Sequence, residues 1–111
     1  MEEKIEVSVT DENFQKEVVE RSKSVPVVAD FWAAWCGPCV MLGPVLEKMV
    51  KEYNGKFVLA KINVEESQEA SRMYGIRSIP AVKLFKDGKV VSEFVGARPE
   101  EVIKRWLDSN L

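Results

Sequence analysis

The chain predicts a single α/β domain over residues 1–111: a mixed five-stranded sheet, element order βαβαβαββα, with helices on both faces. Three observations predict it. Residues 25–33 (VPVVADFWA) and 57–63 (FVLAKIN) are apolar on both faces, as strands inside a covered sheet are. Between and after them lie stretches whose apolar residues recur every three or four positions, the spacing of helices with one buried face. Near the end, Asp87-Gly88 separates two apolar runs, the strongest local signal for a hairpin. With 46% hydrophobic residues in 111, the chain can bury one core.

In order, Ile5, Val7 and Val9 alternate with Glu6 and Ser8, an opening strand with a polar face at a sheet edge. Thr10 is placed to cap a helix carrying Asp11 and Glu12 in its first turn, with Phe14, Val18 and Val19 on its buried stripe as far as Lys23. Ser24-Val25-Pro26 ends it and begins the strand over 25–33. A helix over 40–53 presents Leu42, Val45, Leu46, Met49 and Tyr53, with a kink expected at Pro44 and a stop at Asn54-Gly55. The strand over 57–63 follows, then a weakly patterned helix over 67–74 ended by Gly75. Strands over 81–86 and 90–95 form the hairpin. The last helix opens at Pro99 with two glutamates and buries Val102, Ile103, Trp106 and Leu107. Trp32 reads as packing beneath residues 35–39, and Trp106 and the methionines as core or near-core.

Composition narrows the function. A net charge of −2 does not suit binding to a phosphate backbone, so no nucleic acid is expected. No apolar run approaches the ~20 residues of a membrane span, so no membrane association is expected. Met1-Glu2-Glu3-Lys4 lacks the basic and apolar stretches of a secretion leader. A cytoplasmic protein is the expectation, although the mature form of an exported one would look the same. The absence of histidine removes Cys-His nucleophilic catalysis and His-containing zinc sites. Carboxylates, lysines, tyrosines and thiols are left to handle protons.

The chain's only two cysteines stand in Trp35-Cys36-Gly37-Pro38-Cys39, where a central strand ends and a helix begins. They admit three readings. A structural disulfide closing so short a loop stabilises by only ~2 kcal/mol and is disfavoured in a reducing compartment. Structural zinc wants four nitrogen or sulfur ligands, and one copy of this chain offers two thiolates and no imidazole. Thiol–disulfide exchange agrees best with the local physics. Cys36 would sit at the helix N-terminus, where free N–H groups and the dipole favour a thiolate. Cys39, one turn on, would be in reach of a mixed disulfide and better shielded. Gly37 permits the tight turn, and Pro38 fits a first helical turn that does not need its N–H. Asp30 and Lys61 are charges within the two internal strands. Each reads either as a water-facing residue or as an interior group, and adjacent strands would let them meet beneath the cysteines.

WCGPC after VADFWA resembles the active site of the thioredoxin family. The resemblance continues through AKIN at 60–63, YGIRSIP at 74–80, LFKDG at 84–88 and VGA at 95–97, over nearly the whole chain. It implies the thioredoxin fold and a protein-disulfide reductase in which Cys36 attacks and Cys39 resolves. It implies that Asp30 is the buried carboxylate that helps deprotonate Cys39, with Lys61 as its partner. Pro80 would be a cis proline facing the dithiol, and Trp35, Ile79, Pro80, Gly96 and Ala97 the surface that meets substrate. No bound cofactor or metal is implied. Electrons would come from a flavin-containing, NADPH-fed thioredoxin reductase, the substrates would be disulfide-containing proteins, and the chain would act as a monomer. Val40, Ser78 and Ala81 depart from common family residues, a basic residue, glycine and threonine respectively. They bear on acidity and specificity, not on the dithiol. An isomerase or oxidase domain is the alternative within the same chemistry, though Gly-Pro between the cysteines looks like the reducing members. A partner-docking module with incidental thiols is the alternative outside it.

Overall fold

The computed structural model describes residues 5–111, so the readings of the leader and of Met1 lie outside the described residues. Five strands form one sheet: β1 (Glu6–Val9), β2 (Val27–Trp32), β3 (Val58–Asn63), β4 (Ala81–Lys86) and β5 (Lys89–Val95). Their spatial order is β1-β3-β2-β4-β5, with β3 parallel to both β1 and β2, and β4 antiparallel to β2 and β5. The sheet is mixed, as predicted. The opening strand lies at one edge, and the two doubly apolar strands are internal.

Side chains alternate across a strand, so each internal strand feeds two cores. Val27, Ala29 and Phe31 of β2 join Val58, Ala60 and Ile62 of β3 in one core, covered by Phe14, Val18 and Ala70. Val28 and Leu59 point the other way, against Leu42, Leu46 and Met49 of α1 (Gly37–Glu52) and Ile103 and Leu107 of α3 (Glu100–Asn110). Asp30 and Lys61 therefore belong to the face that carries α1. Register makes them direct neighbours, Asp30 opposite Lys61.

α1 begins at Gly37 with Cys36 as its N-cap, where the cysteine segment placed it and three residues ahead of the apolar spacing, and it stays helical through Pro44. The Asp87-Gly88 hairpin is confirmed. Both residues have positive φ (53° and 85°), as a two-residue primed turn requires.

The segment after β1 differs from expectation. Thr10 caps no helix; it closes a turn in which its N–H donates to Asn13 Oδ1 at 2.8 Å. Helical structure follows as wide π turns over Gln15–Glu20 and a 3-10 turn over Arg21–Lys23. Asp11 is used elsewhere: its carboxylate accepts the N–H groups of Glu69 (3.2 Å) and Ala70 (2.8 Å), capping α2 (Gln68–Met73). The segment is also pinned at both ends. Phe14 packs on Tyr74 and Phe85, while Ser22 Oγ and the Ser22 carbonyl accept the N–H groups of Gly88 and Asp87. A chain fixed between two anchors adjusts its helical pitch to reach both.

Not all methionines are core. Met49 is buried, but Met41 and Met73 are more than 70% exposed. Met41 falls on the solvent side of α1, and Met73 ends a helix too short to have a fully covered face. Trp106 is half-buried: its Nε1–H donates to Ser92 Oγ at 2.9 Å and its ring meets Phe94 edge-on.

Candidate active site

The site lies where β2 gives way to α1. Pro38 supplies a first-turn residue with no N–H to satisfy, and Cys36, in extended conformation (φ −91°, ψ 107°), closes the helix end. Its Sγ accepts the N–H of Cys39 at 3.2 Å, the place a serine or aspartate oxygen takes in an ordinary cap. Cys36 and Cys39 are joined in a disulfide, with Cα atoms 5.2 Å apart. The expected contrast in shielding is small, since the two are 6% and 3% exposed. What separates them is position relative to the helix. Cys36 Sγ sits over the free N–H groups and dipole of the first turn, whereas Cys39 is within that turn.

Around the pair, Ala33, Trp32, Val64 and Ile79 form a small apolar cluster. Trp32 thus packs at the dithiol, as expected; Val64, just beyond β3, carried no signal in the sequence. The Ile79–Pro80 peptide bond is cis, and the Ile79 carbonyl oxygen lies 3.8 Å from Cys36 Sγ. Gly96 joins the same surface: its N–H donates to the Pro80 carbonyl at 2.8 Å, with φ of +89° that a side-chain-bearing residue rarely adopts. Gly37, Pro38 and Ala97 are exposed, and Trp35 is 69% exposed. Val40 continues the apolar exposure from the helix, while Ala81 is buried at the start of β4 and Ser78 faces solvent.

On the face of β2 that carries α1, Asp30 is 1% exposed and neither carboxylate oxygen has a hydrogen-bond partner. Burial pushes its pKa up to about 7, against the pull of the Lys61 ammonium and with a further push from Glu47. Lys61 is not hydrogen-bonded to Asp30, however. Its Nζ lies 3.0 Å from Glu47 Oε2 on α1 and 5.2 Å from the centre of the Trp32 ring. The two strand charges are neighbours by register but are not an ion pair. Glu47 was missed because it is one of two acids on an amphipathic helix, neither marked by its spacing; only the crossing of α1 over β3 selects it.

A dithiol that closes to a disulfide on a helix end is suited to passing two electrons to another disulfide. Among the described residues no group of three or more acidic or cysteine side chains could hold a metal ion, and no helix is long and apolar enough to cross a membrane.

Comparison with known proteins agrees with that chemistry. Residues 5–109 match the family model described as Thioredoxin. The chain is 49% identical over 102 residues to the thioredoxin of Chlorobaculum thiosulfatiphilum, covering 92% of this chain and 93% of that protein. It is 50% identical to thioredoxin 2 of Chlorobaculum tepidum over 92% of each chain, and 42% identical to the thioredoxin of Pseudomonas aeruginosa over 95% of each. The chain belongs to the thioredoxin family: it is a thiol–disulfide oxidoreductase, a protein-disulfide reductase whose redox-active centre is the cysteine pair.

Proposed function

We propose that the whole chain works as one domain and that each half of its dithiol has a fixed role. The Cys36 thiolate attacks one sulfur of a substrate disulfide. A Cys36–substrate disulfide forms, and the other substrate sulfur leaves as a thiolate that takes a proton from water. Cys39 passes its proton to Asp30 and attacks Cys36 Sγ, which breaks the mixed disulfide and releases the second substrate thiolate to be protonated in turn. The substrate has gained two electrons from the dithiol, which is left as the Cys36–Cys39 disulfide, and two protons from water; Asp30 holds the Cys39 proton until it returns to solvent. A carboxyl with pKa about 7 suits the middle step, because at neutrality it is partly ionised and can hold the proton it receives. Lys61 tempers that basicity through its charge.

Trp35, Ile79, Gly96 and Ala97 form the docking surface beside the exposed loop of Gly37 and Pro38, with Pro80 buried behind Ile79 and holding the cis bond; an extended substrate segment can pair there with the backbone at Ile79. The protein acts as a monomer in the reducing cytoplasm, needs no bound cofactor, and is returned to the dithiol by a flavin-containing, NADPH-fed thioredoxin reductase. The observation that supports this reading best is Cys36 at the cap of α1 with its sulfur on the Cys39 N–H. Insulin reduction driven by NADPH and a thioredoxin reductase tests it. Cys39→Ser is expected to accumulate a mixed disulfide and Cys36→Ser to form none. Trapping by Cys36→Ser instead would reverse the roles.

A further inference from the structure

The Lys61 ammonium has a seat of its own. It is 3.0 Å from Glu47 Oε2 and 5.2 Å from the Trp32 ring centre. A side-chain carbon on Gly43 would come within 3.2 Å of Nζ, so the absence of one there leaves room for the ammonium against α1. Meanwhile Asp30, opposite Lys61 in the β2–β3 register, keeps both carboxylate oxygens without a hydrogen bond. A lysine on the neighbouring strand is an obvious partner for a buried carboxylate, yet its hydrogen bond goes to the helix.

We infer that Glu47 is a positioning residue for the exchange reaction: it draws the Lys61 ammonium onto α1 and thereby leaves the Asp30 carboxyl unpaired and basic enough to take a proton. A close opposite charge lowers a carboxyl's pKa by roughly 1–3 units, so a hydrogen-bonded Lys61 would leave Asp30 fully ionised and a poor proton acceptor at neutrality. At its present seat Lys61 acts from a distance, through its field alone. The charged groups that act on Asp30 are Lys61 from β3 and Glu47 from α1; β4 contributes Val82 opposite it, and α3 contributes Ile103 and Leu107 to the core on that face of the sheet. The inference rests on Asp30 being the proton acceptor only for its catalytic consequence, not for the geometry.

Carboxyl-carbon NMR titration of Asp30 in the full chain tests it, in the parent, Glu47→Gln, Lys61→Met and the double variant. Glu47→Gln is expected to lower the Asp30 midpoint by about 1 unit or more as Lys61 is released toward it. With Lys61→Met already present, the same substitution is expected to lower the midpoint less, by the loss of direct Glu47 repulsion alone, since no ammonium remains to release. An unchanged midpoint in Glu47→Gln, or an equal fall with and without Lys61, would overturn the inference, the second result meaning that Glu47 acts on Asp30 only by direct repulsion. Glu47 is part-exposed on a helix surface, so the variants are expected to fold, and Glu47→Ala offers a second route to the same loss. The pH profile of insulin reduction, read beside the titration, separates the two proposals. If the midpoint falls and the acid limb of the profile moves with it, both stand; if the midpoint falls and the profile does not move, the seat stands and Asp30 is not the proton acceptor.

Discussion

Asp30 pays in stability for its place in the interior. Its carboxyl is buried with no hydrogen-bond partner, and its pKa stands at about 7 against an ordinary 3.8. Between roughly pH 4 and 7 the folded protein therefore holds a proton that the unfolded chain has released, and stability falls as pH rises through that window. Above pH 7 the penalty is complete, up to about 4 kcal/mol for a shift of about 3 units. Asp30→Asn is expected to raise the unfolding free energy at pH 8 and to leave it unchanged below about pH 4, while slowing exchange; urea titrations at the two pH values check this, and an equal effect at both would contradict it. The charge in an apolar strand was legible in the sequence, but the direction of the Lys61 hydrogen bond was not, because it depends on a helix crossing that no local pattern encodes. Trp35 is the opposite case. At 69% exposure it contributes little packing, so Trp35→Ala is expected to change unfolding free energy by no more than about 0.5 kcal/mol while raising KM for protein disulfides. A large loss of stability would place its role in the fold instead.

Elements whose signals are local were readable in advance. The hairpin needs two adjacent residues of positive φ, and Asp87-Gly88 announces that need. α1 was visible from its apolar spacing, and its start from the Gly37-Pro38 dipeptide. The segment between β1 and β2 was misread because Asp11, which looks like a first-turn acid for the helix that follows it, serves a helix more than fifty residues away. Sequence proximity suggested the wrong client. Asp11→Ala is therefore expected to cost about 1 kcal/mol, the usual worth of a cap. Amide exchange should localise the damage, with Glu69 and Ala70 losing protection while Gln15 to Lys23 change little. Loss confined to the latter segment would restore the original reading.

At the scale of the molecule, parallel pairing of β1 and β2 with β3, and antiparallel pairing of β4 with β2, place the ends of β2 and β3 and the start of β4 at one border of the sheet. That border receives the start of α1, the cis-proline loop and Gly96, so the site is assembled from pieces separated by up to sixty residues of chain. The element order alone predicted the sheet; the meeting of Ile79 with Cys36, and of Gly96 with Pro80 beside it, entered through family resemblance, since no spacing rule brings them together. On the proposed reading the whole arrangement serves to present an easily ionised sulfur at the cap of α1, and that can be measured directly. In the reduced protein, the rate of iodoacetamide alkylation as a function of pH, with the modified residue identified by mass spectrometry, should show Cys36 modified first with a midpoint below the ~8.5 of free cysteine. A midpoint at or above that value, or modification of Cys39 ahead of Cys36, would contradict the account.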